Sequence, residues 1–325
     1  MVDSLNILIL SCGTRNKIVQ YFKKELSGKG KVFATDCTPL APALYEADDF
    51  FIVPRVQEEG YLEEVLSICK DNNIKAVLSL IDPELNVLAE NKVLFLEMGV
   101  TPVVSEKEAI EMSLDKYAMF TFLKKNCFPT VNSYVDKEEF YKDKKVGRIT
   151  YPVFIKPALG SASMNINKVV SDEEVDLLFK RYEHLMVQEF MTGKEYGVDA
   201  YIDLVNGELS SIFIKEKIKM RSGETDKSVS VKDEKLSNLI VDFVNKTHFK
   251  GMIDIDVFKI EDTYYISEVN PRFGGGYPHA YETGVNFPKM LINNLEGLSN
   301  KRSFSSYEEG VYMMKYNDVL ISKEQ

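Results

Sequence analysis

The stretch Gly251–Arg272, GMIDIDVFKIEDTYYISEVNPR, decides the reading of this chain. Apolar and polar residues alternate on either side of Glu261-Asp262-Thr263, the pattern of a β-hairpin with one buried face. With those three residues as the loop, Ile260 faces Tyr264. Counting back then sets Asp256 opposite Glu268 and Asp254 opposite Asn270. All four polar side chains share one face, because side chains along a strand alternate with a period of two. Like charges opposed across a hairpin repel, so a cation belongs between them. Carboxylate and amide oxygens suit Mg²⁺, which takes one or two carboxylates and fills its shell with phosphate and water. Asn270-Pro271-Arg272 adds a neutral ligand and a fixed positive charge at the same edge. The plainer alternative is a solvated acidic strand face.

Two further stretches lie upstream. In Tyr151–Ser163, YPVFIKPALGSAS, Lys156 ends an apolar strand and needs an anionic partner if buried. The turn Gly160-Ser161-Ala162-Ser163 follows, small enough for backbone N–H groups to approach phosphate oxygens. The G-x-x-x-x-G-K-[ST] spacing of a Walker loop is absent. In Val187–Asp199, VQEFMTGKEYGVD, a short strand leads to a turn flanked by Glu189 and Glu195. Both carboxylates can accept from an adenine amino group or ribose hydroxyls, and both can equally be solvated. Together the three stretches supply a nucleotide edge, a phosphate lysine with a cover, and a metal hairpin.

The 325 residues carry 40 Lys and Arg against 50 Asp and Glu, a formal net charge of -10. A nucleic-acid partner calls for a more basic chain, and no apolar run approaches the roughly 18 residues of a membrane span. Neither partner is expected. The length suggests about two domains. Met1–Leu10 lacks a basic start and does not read as a signal peptide. Cys12, Cys37, Cys69 and Cys127 have no C-x-x-C spacing, so no zinc site or disulfide framework is indicated and the cytoplasm is the expected compartment.

The first hundred residues alternate apolar strands (Asn6–Leu10, Lys31–Thr35, Phe50–Val53, Ala76–Ile81) with amphipathic stretches, which predicts a parallel sheet covered by helices. Ser105 and Glu108 form a capping box that opens a helix running to Lys125. Asn206-Gly207 reads as a tight type I′ hairpin turn. Arg221–Lys235, polar and poor in large apolar residues, reads as a mobile loop. The turn Ser11-Cys-Gly-Thr-Arg-Asn16 has one glycine of G-x-G-x-x-G, so a dinucleotide site for NAD-dependent oxidoreduction is improbable and a structural or substrate-facing role is favoured. His184 and His248 read as surface or helix residues, and His279 as a group that could touch substrate.

Asp115-Lys116-Tyr117, Phe154-Ile-Lys156-Pro157, Gln188-Glu189-Phe190, Glu195-Tyr-Gly-Val-Asp199 and Ser267-Glu-Val-Asn-Pro-Arg272 are specific in combination and in this order. In them the chain resembles the ATP-grasp superfamily of carboxylate–amine and carboxylate–thiol ligases, most nearly the branch of carbamoyl phosphate synthetase large subunits and biotin carboxylase. The resemblance implies an α/β chain with an N-terminal parallel pre-ATP-grasp domain, residues 1–104, followed by a two-subdomain grasp. Subdomain A, a helix, a small sheet and a phosphate-covering loop, would span 105–186. Subdomain B, an antiparallel sheet with the metal hairpin and C-terminal helices, would span 187–325.

The resemblance also implies roles. Lys116 and Lys156 would bind ATP phosphates under a cover formed by Gly160, Ser161, Ala162 and Ser163. Gln188, Glu189, Phe190 and Met191 would hold adenine, and Glu195 ribose. Asp256, Glu268 and Asn270 would bind one or two Mg²⁺, with Mn²⁺ as the alternative. Asp256 stands where many relatives have Glu, which touches the coordination and not the role. Arg272, with Lys156 and Arg221, would form the catalytic set, Arg272 stabilising an acyl phosphate. Lys217, Lys219 and Arg221, with Arg272 and Gly274, Gly275 and Gly276, would meet substrate. The expected activity is an ATP- and Mg²⁺-dependent, ADP-forming ligase joining a small carboxylate to an amine, an amino acid among the candidates, and a homodimer is the assembly such relatives suggest. The alternatives are a carbamoyl phosphate synthetase-like subunit and a nucleotide-binding regulatory module without turnover.

Overall fold

A computed structural model describes residues 4–160 and 167–323. The first sheet is parallel: β1 (Asn6–Leu10), β2 (Val32–Asp36), β3 (Asp49–Ile52), β4 (Ile74–Ser79) and β5 (Thr101–Pro102), in the order β3-β2-β1-β4-β5. The helices around it are α1 (Asn16–Leu26), α2 (Tyr61–Asp71), α3 (Asp82–Glu90) and α4 (Lys92–Glu97). β1 and β2 are buried throughout, as a sheet covered on both faces requires. The chain leaves β1 toward β2 on one side and occupies β4 on the other. The carboxyl ends of β1 and β4 therefore flank a switch point, the place where open α/β sheets hold ligands.

One helix was expected over 105–125, and there are two, α5 (Lys107–Leu114) and α6 (Lys116–Lys125). Ser105 does not cap the first; its hydroxyl exchanges hydrogen bonds with the Lys250 backbone. The break falls at Asp115, extended in backbone, whose carboxylate accepts from the Tyr117 and Ala118 amides and caps α6. A side-chain acceptor aimed at its own helix start outcompetes continuation of the preceding helix.

A four-stranded sheet follows, β6 (Ser133–Tyr134), β7 (Val153–Pro157), β8 (Asn167–Val169) and β9 (Leu185–Glu189), in the order β6-β9-β7-β8. It packs with α7 (Lys137–Lys145) and α8 (Asp172–Arg181) around its own core of Phe140, Ile155, Val175 and Val187. The boundary expected at 186 falls inside β9, which pairs with β7 through Glu189.

The third sheet has six strands in the order β14-β13-β10-β11-β12-β15. They are β10 (Lys194–Ile202), β11 (Leu209–Arg221), β12 (Glu224–Ser230), β13 (Gly251–Ile260), β14 (Thr263–Asn270) and β15 (Tyr312–Met314). α9 (Glu234–Val244) covers one face, and α10 (Pro278–Glu282) and α11 (Phe287–Leu295) follow β14. The loop expected over 221–235 is thus largely strand: β11 and β12 are joined by Ser222-Gly223, both at positive φ. The signal was hidden because the buried positions of β12 are Thr225, Asp226, Ser228 and Ser230, small or polar side chains that give no apolar alternation. The turn at Asn206-Gly207 is also wider than expected. β10 ends at Ile202 and β11 starts at Leu209, and Asp203 organises the connection by accepting from the Val205 and Asn206 amides.

One continuous core joins the first and third sheets. Phe22 of α1 meets Phe273, and Tyr21 stacks on Tyr281 at 3.6 Å between ring centroids. This packing fixes the loop after β1 over the third sheet. Among the described residues no helix is long and apolar enough to cross a membrane.

Candidate active site

A cleft of about 710 Å³ lies between the second and third sheets and is closed at one end by the first. The linker 190–193, which joins β9 to β10, runs along it. Of the expected nucleotide residues, Lys156, Gln188, Glu189, Met191 and Glu195 line it; of the rest, Lys217, Asp256, Glu268, Asn270, Arg272, Gly275 and Gly276 do. Residues from sequence-distant stretches thus line one cleft.

The hairpin reaches its pairing by an unexpected route. Its loop has two residues, Glu261 and Asp262, so Ile260 pairs with Thr263. A bulge then leaves Ser267 unpaired and restores the register, so that Asp256 faces Glu268 and Asp254 faces Asn270. Among the described residues no three His, Cys, Asp or Glu side chains converge as a metal cage. Two opposed carboxylates with an amide oxygen at the end are nonetheless the hard-oxygen set that Mg²⁺ uses when phosphate and water complete its shell.

The electrostatics of this face show an excess of negative charge. Lys217 of β11 is almost fully buried and bonds both Glu195 at 2.7 Å and Asp256 at 2.5 Å. Its ammonium is held well above the ordinary lysine range because Asp256, Asp254 and Glu195 outweigh burial. The Asp256 carboxyl is pushed up to about 7, first by burial and then by Asp254 and Glu268, against Lys217. An excess of carboxylates over cations on this face contributes to both shifts, though burial is the first cause for Asp256 and opposes the shift of Lys217. Lys156, by contrast, is pulled down to about 8 by burial, with Lys116 adding repulsion and Glu268 opposing it. It is a largely enclosed cation that forms no ion pair with any described residue, Glu268 acting on it only at longer range.

Arg272 receives a bidentate ion pair from Asp82, at 2.8 and 2.7 Å, and also donates to Asn270. Asp82 opens α3, just past β4, so the first sheet holds the arginine that follows the hairpin. Asp82→Asn should lower stability by about 3 kcal/mol, because a buried guanidinium loses its counter-charge; the urea midpoint checks this. Arg15, on the loop after β1, also lines the cleft and pairs with Glu224 of β12 at 2.7 Å. The glycine run packs on charged side chains: a Cβ at Gly274 would sit 2.4 Å from the Asp254 carboxyl carbon, and one at Gly275 2.6 Å from that of Glu224. Behind Gly276 lies Lys215, fully buried and paired with Asp199.

Other expected site residues stand elsewhere. Lys116 donates to the Gly160 carbonyl, and Gly160 lines a neighbouring cavity of about 480 Å³ with Asp82, Glu111 and Asp115. Ser161, Ala162 and Ser163 lie outside the described residues. Phe190 turns from the cleft onto Phe154, at 4.9 Å between centroids, beneath the Lys168 ammonium. Gly274 is not part of the cleft wall; Asp254 covers it. Arg221 is also absent from the wall. Register shifts between Lys217 and Met220 reverse the strand's alternation, so Met220 faces the cleft while Arg221 pairs outward with Asn317 and Asp226. His279 is buried between the Ser228 hydroxyl and the Val311 carbonyl, a packing role rather than a substrate contact. The reading missed Arg15, Asp82 and Glu224. Their signal is positional: the first two lie where the chain passes from the strands flanking the switch point into the next helix, Arg15 just before α1 and Asp82 opening α3.

The ATP-grasp domain family matches residues 113–276, half of the chain, and the PylC-like N-terminal domain family matches residues 7–103. The chain belongs to the ATP-grasp family. It is 29% identical over 256 residues to the D-alanine--D-alanine ligase of Bacillus licheniformis, covering 72% of this chain and 68% of that one. It is 26% identical over 240 residues to the carbamoyl phosphate synthase large chain of Lachnoclostridium phytofermentans, covering 66% of this chain. This chain spans only about a fifth of that relative's length. In fold it is similar to the biotin carboxylase domain of the Hydrogenobacter thermophilus 2-oxoglutarate carboxylase, solved with MgADP and bicarbonate. The TM-score is 0.77 at 17% identity, over 94% of this chain and 73% of that one.

Proposed function

We propose that the protein is an ATP-dependent, ADP-forming ligase that activates a small carboxylate as an acyl phosphate and passes the acyl group to an amine. The observation that carries this is the convergence on one cleft of a lysine with no ion-pair partner among the described residues (Lys156), an opposed carboxylate hairpin (Asp256, Glu268, Asn270) and a clamped arginine (Arg272). Such a set positions and neutralises charge and contains no nucleophile–base pair, which is what phosphoryl transfer requires.

In this reading ATP lies along the cleft with its base against Gln188, Glu189 and Met191, its ribose at Glu195 and its phosphates at Lys156, Lys116 and the cover over 160–163. Asp256, Glu268 and Asn270 would hold Mg²⁺, or Mn²⁺, which would supply charge neutralisation at the transferring phosphoryl group. Lys217 bridges the ribose carboxylate and the metal face, so it holds the two halves of the nucleotide site in register. Arg272, fixed by Asp82, faces the oxyanion of the activated carboxylate. The chain divides functionally near 104 and at the linker after Glu189, and it works on small molecules in the cytoplasm.

The test is release of ADP and phosphate from MgATP against pools of amino acids and other small carboxylates. Release that depends on one pool supports the reading, and mass spectrometry of that pool names the product. Tight nucleotide binding with no release in any pool would replace it with a regulatory module.

A further inference from the structure

The end of the cleft away from the nucleotide is built by two different sheets and carries an unusual charge pattern. From the switch point of the first sheet comes Arg15; from the third come Arg272, Asp254, Glu224, Gly275 and Gly276. Arg272 is held by Asp82, Asn270 and the Phe273 carbonyl, which leaves one of its five guanidinium N–H groups for the activated acyl oxygen. Arg15 has Glu224 alone as an ion-pair partner among the described residues, and Glu224 has a second cation, Lys315 at 2.8 Å. Releasing Arg15 therefore leaves Glu224 neutralised. Asp254 forms no ion pair with any described residue. The end of the cleft thus offers one exchangeable guanidinium beside one unpaired carboxylate, with glycine backbone between them.

Resting on the ligase reading above, we propose that the acceptor is an α-amino acid. Its carboxylate takes Arg15 from Glu224, and its amino group lies against Asp254 and Glu224, facing the site where Arg272 holds the activated acyl group. Arg15 is then the specificity determinant. A guanidinium binds a carboxylate by two parallel hydrogen bonds, which a lysine cannot match. A simple amine has nothing to offer Arg15 and leaves the Arg15–Glu224 pair in place. Burial, partly reinforced by the nearby Arg272, holds the Arg15 guanidinium below its ordinary range despite Glu224, so an added anion is welcome there.

The experiment titrates L- and D-amino acids, each beside its carboxamide, into the full chain loaded with Mg²⁺ and a non-hydrolysable ATP analogue. At least one amino acid should bind, with its carboxamide at least about 10-fold weaker. Arg15→Ala should weaken that amino acid by about 10- to 100-fold, the range for hydrogen bonds to charged groups, with nucleotide affinity unchanged. Arg15→Lys should fall between. In turnover the loss should appear in KM for the amino acid and not in kcat. Equal binding of acid and amide, or unchanged affinity in Arg15→Ala, overturns the proposal. So does nucleotide binding with no amino acid bound, and in that case the ligase reading survives. Absence of nucleotide binding to the unaltered protein would overturn both.

Discussion

Glu268→Gln should abolish turnover, by about 1,000-fold or more, while the protein folds and melts as before. The two halves of this expectation have separate causes. The Glu268 side chain forms no ion pair or hydrogen bond with any described residue, and it stands directly opposite Asp256. Removing its charge relieves that repulsion and gives up its attraction for Lys156 and Arg272, opposing effects that should leave stability within about 1 kcal/mol. The same change takes one of two carboxylates from a metal set that has only an amide besides. The loss should therefore also appear as a raised Mg²⁺ requirement for what activity remains. Turnover within tenfold of the unaltered protein would rule out Glu268 as a metal ligand.

The second large effect runs in opposite directions for stability and binding. Burial pulls Lys156 from 10.5 down to about 8. At about 1.4 kcal/mol per pH unit, keeping it charged at neutral pH costs the free protein about 3 kcal/mol. For a base with a depressed folded value, the unfolded chain binds more protons between about pH 8 and 10.5. The cost is therefore complete below about 8 and fades as pH rises toward 10.5. Lys156→Met keeps the length and removes the charge. The free variant should melt several degrees higher than the unaltered protein. Saturating MgATP should raise the melting point of the unaltered protein and leave the variant's where it was. Arg or Lys side chains that lower stability in a free site are a recurrent mark of groups reserved for a ligand. A variant that melts lower, or that still responds to MgATP, would remove Lys156 from the phosphate site.

How far the sequence reveals this molecule depends on the range over which each signal acts. The parallel sheet was legible because alternation within a few residues carries it; the pairing of Asp256 with Glu268 was reached through a three-residue loop, and the structure makes the same pair with a two-residue turn and a bulge. Lys217 was legible as a site cation, though its place on a strand was not. Its neighbours on β12 are small polar residues whose burial only tertiary packing explains. Arg221 misled because a local irregularity in β11 reverses the faces after Lys217. Arg15 and Asp82 were illegible for a different reason. Each is an ordinary charged residue at a strand end, and only the parallel pairing of β1 with β4 brings them to one place. Asp36, at the end of β2, accepts from the Gly13 amide at 2.9 Å and holds the turn that presents Arg15.

The two-residue turn and the Ser267 bulge of the β13–β14 hairpin compensate one another residue for residue. A three-residue turn with no bulge would set the same carboxylate against the same glutamate. Chain length at the tip and at the bulge is therefore not free to drift separately: a residue gained at one must be lost at the other. A single insertion or deletion anywhere between Asp256 and Glu268 would turn one of them to the opposite face, whereas a matched pair would pass unnoticed by the site. Gaps in this segment are expected to be inherited in twos.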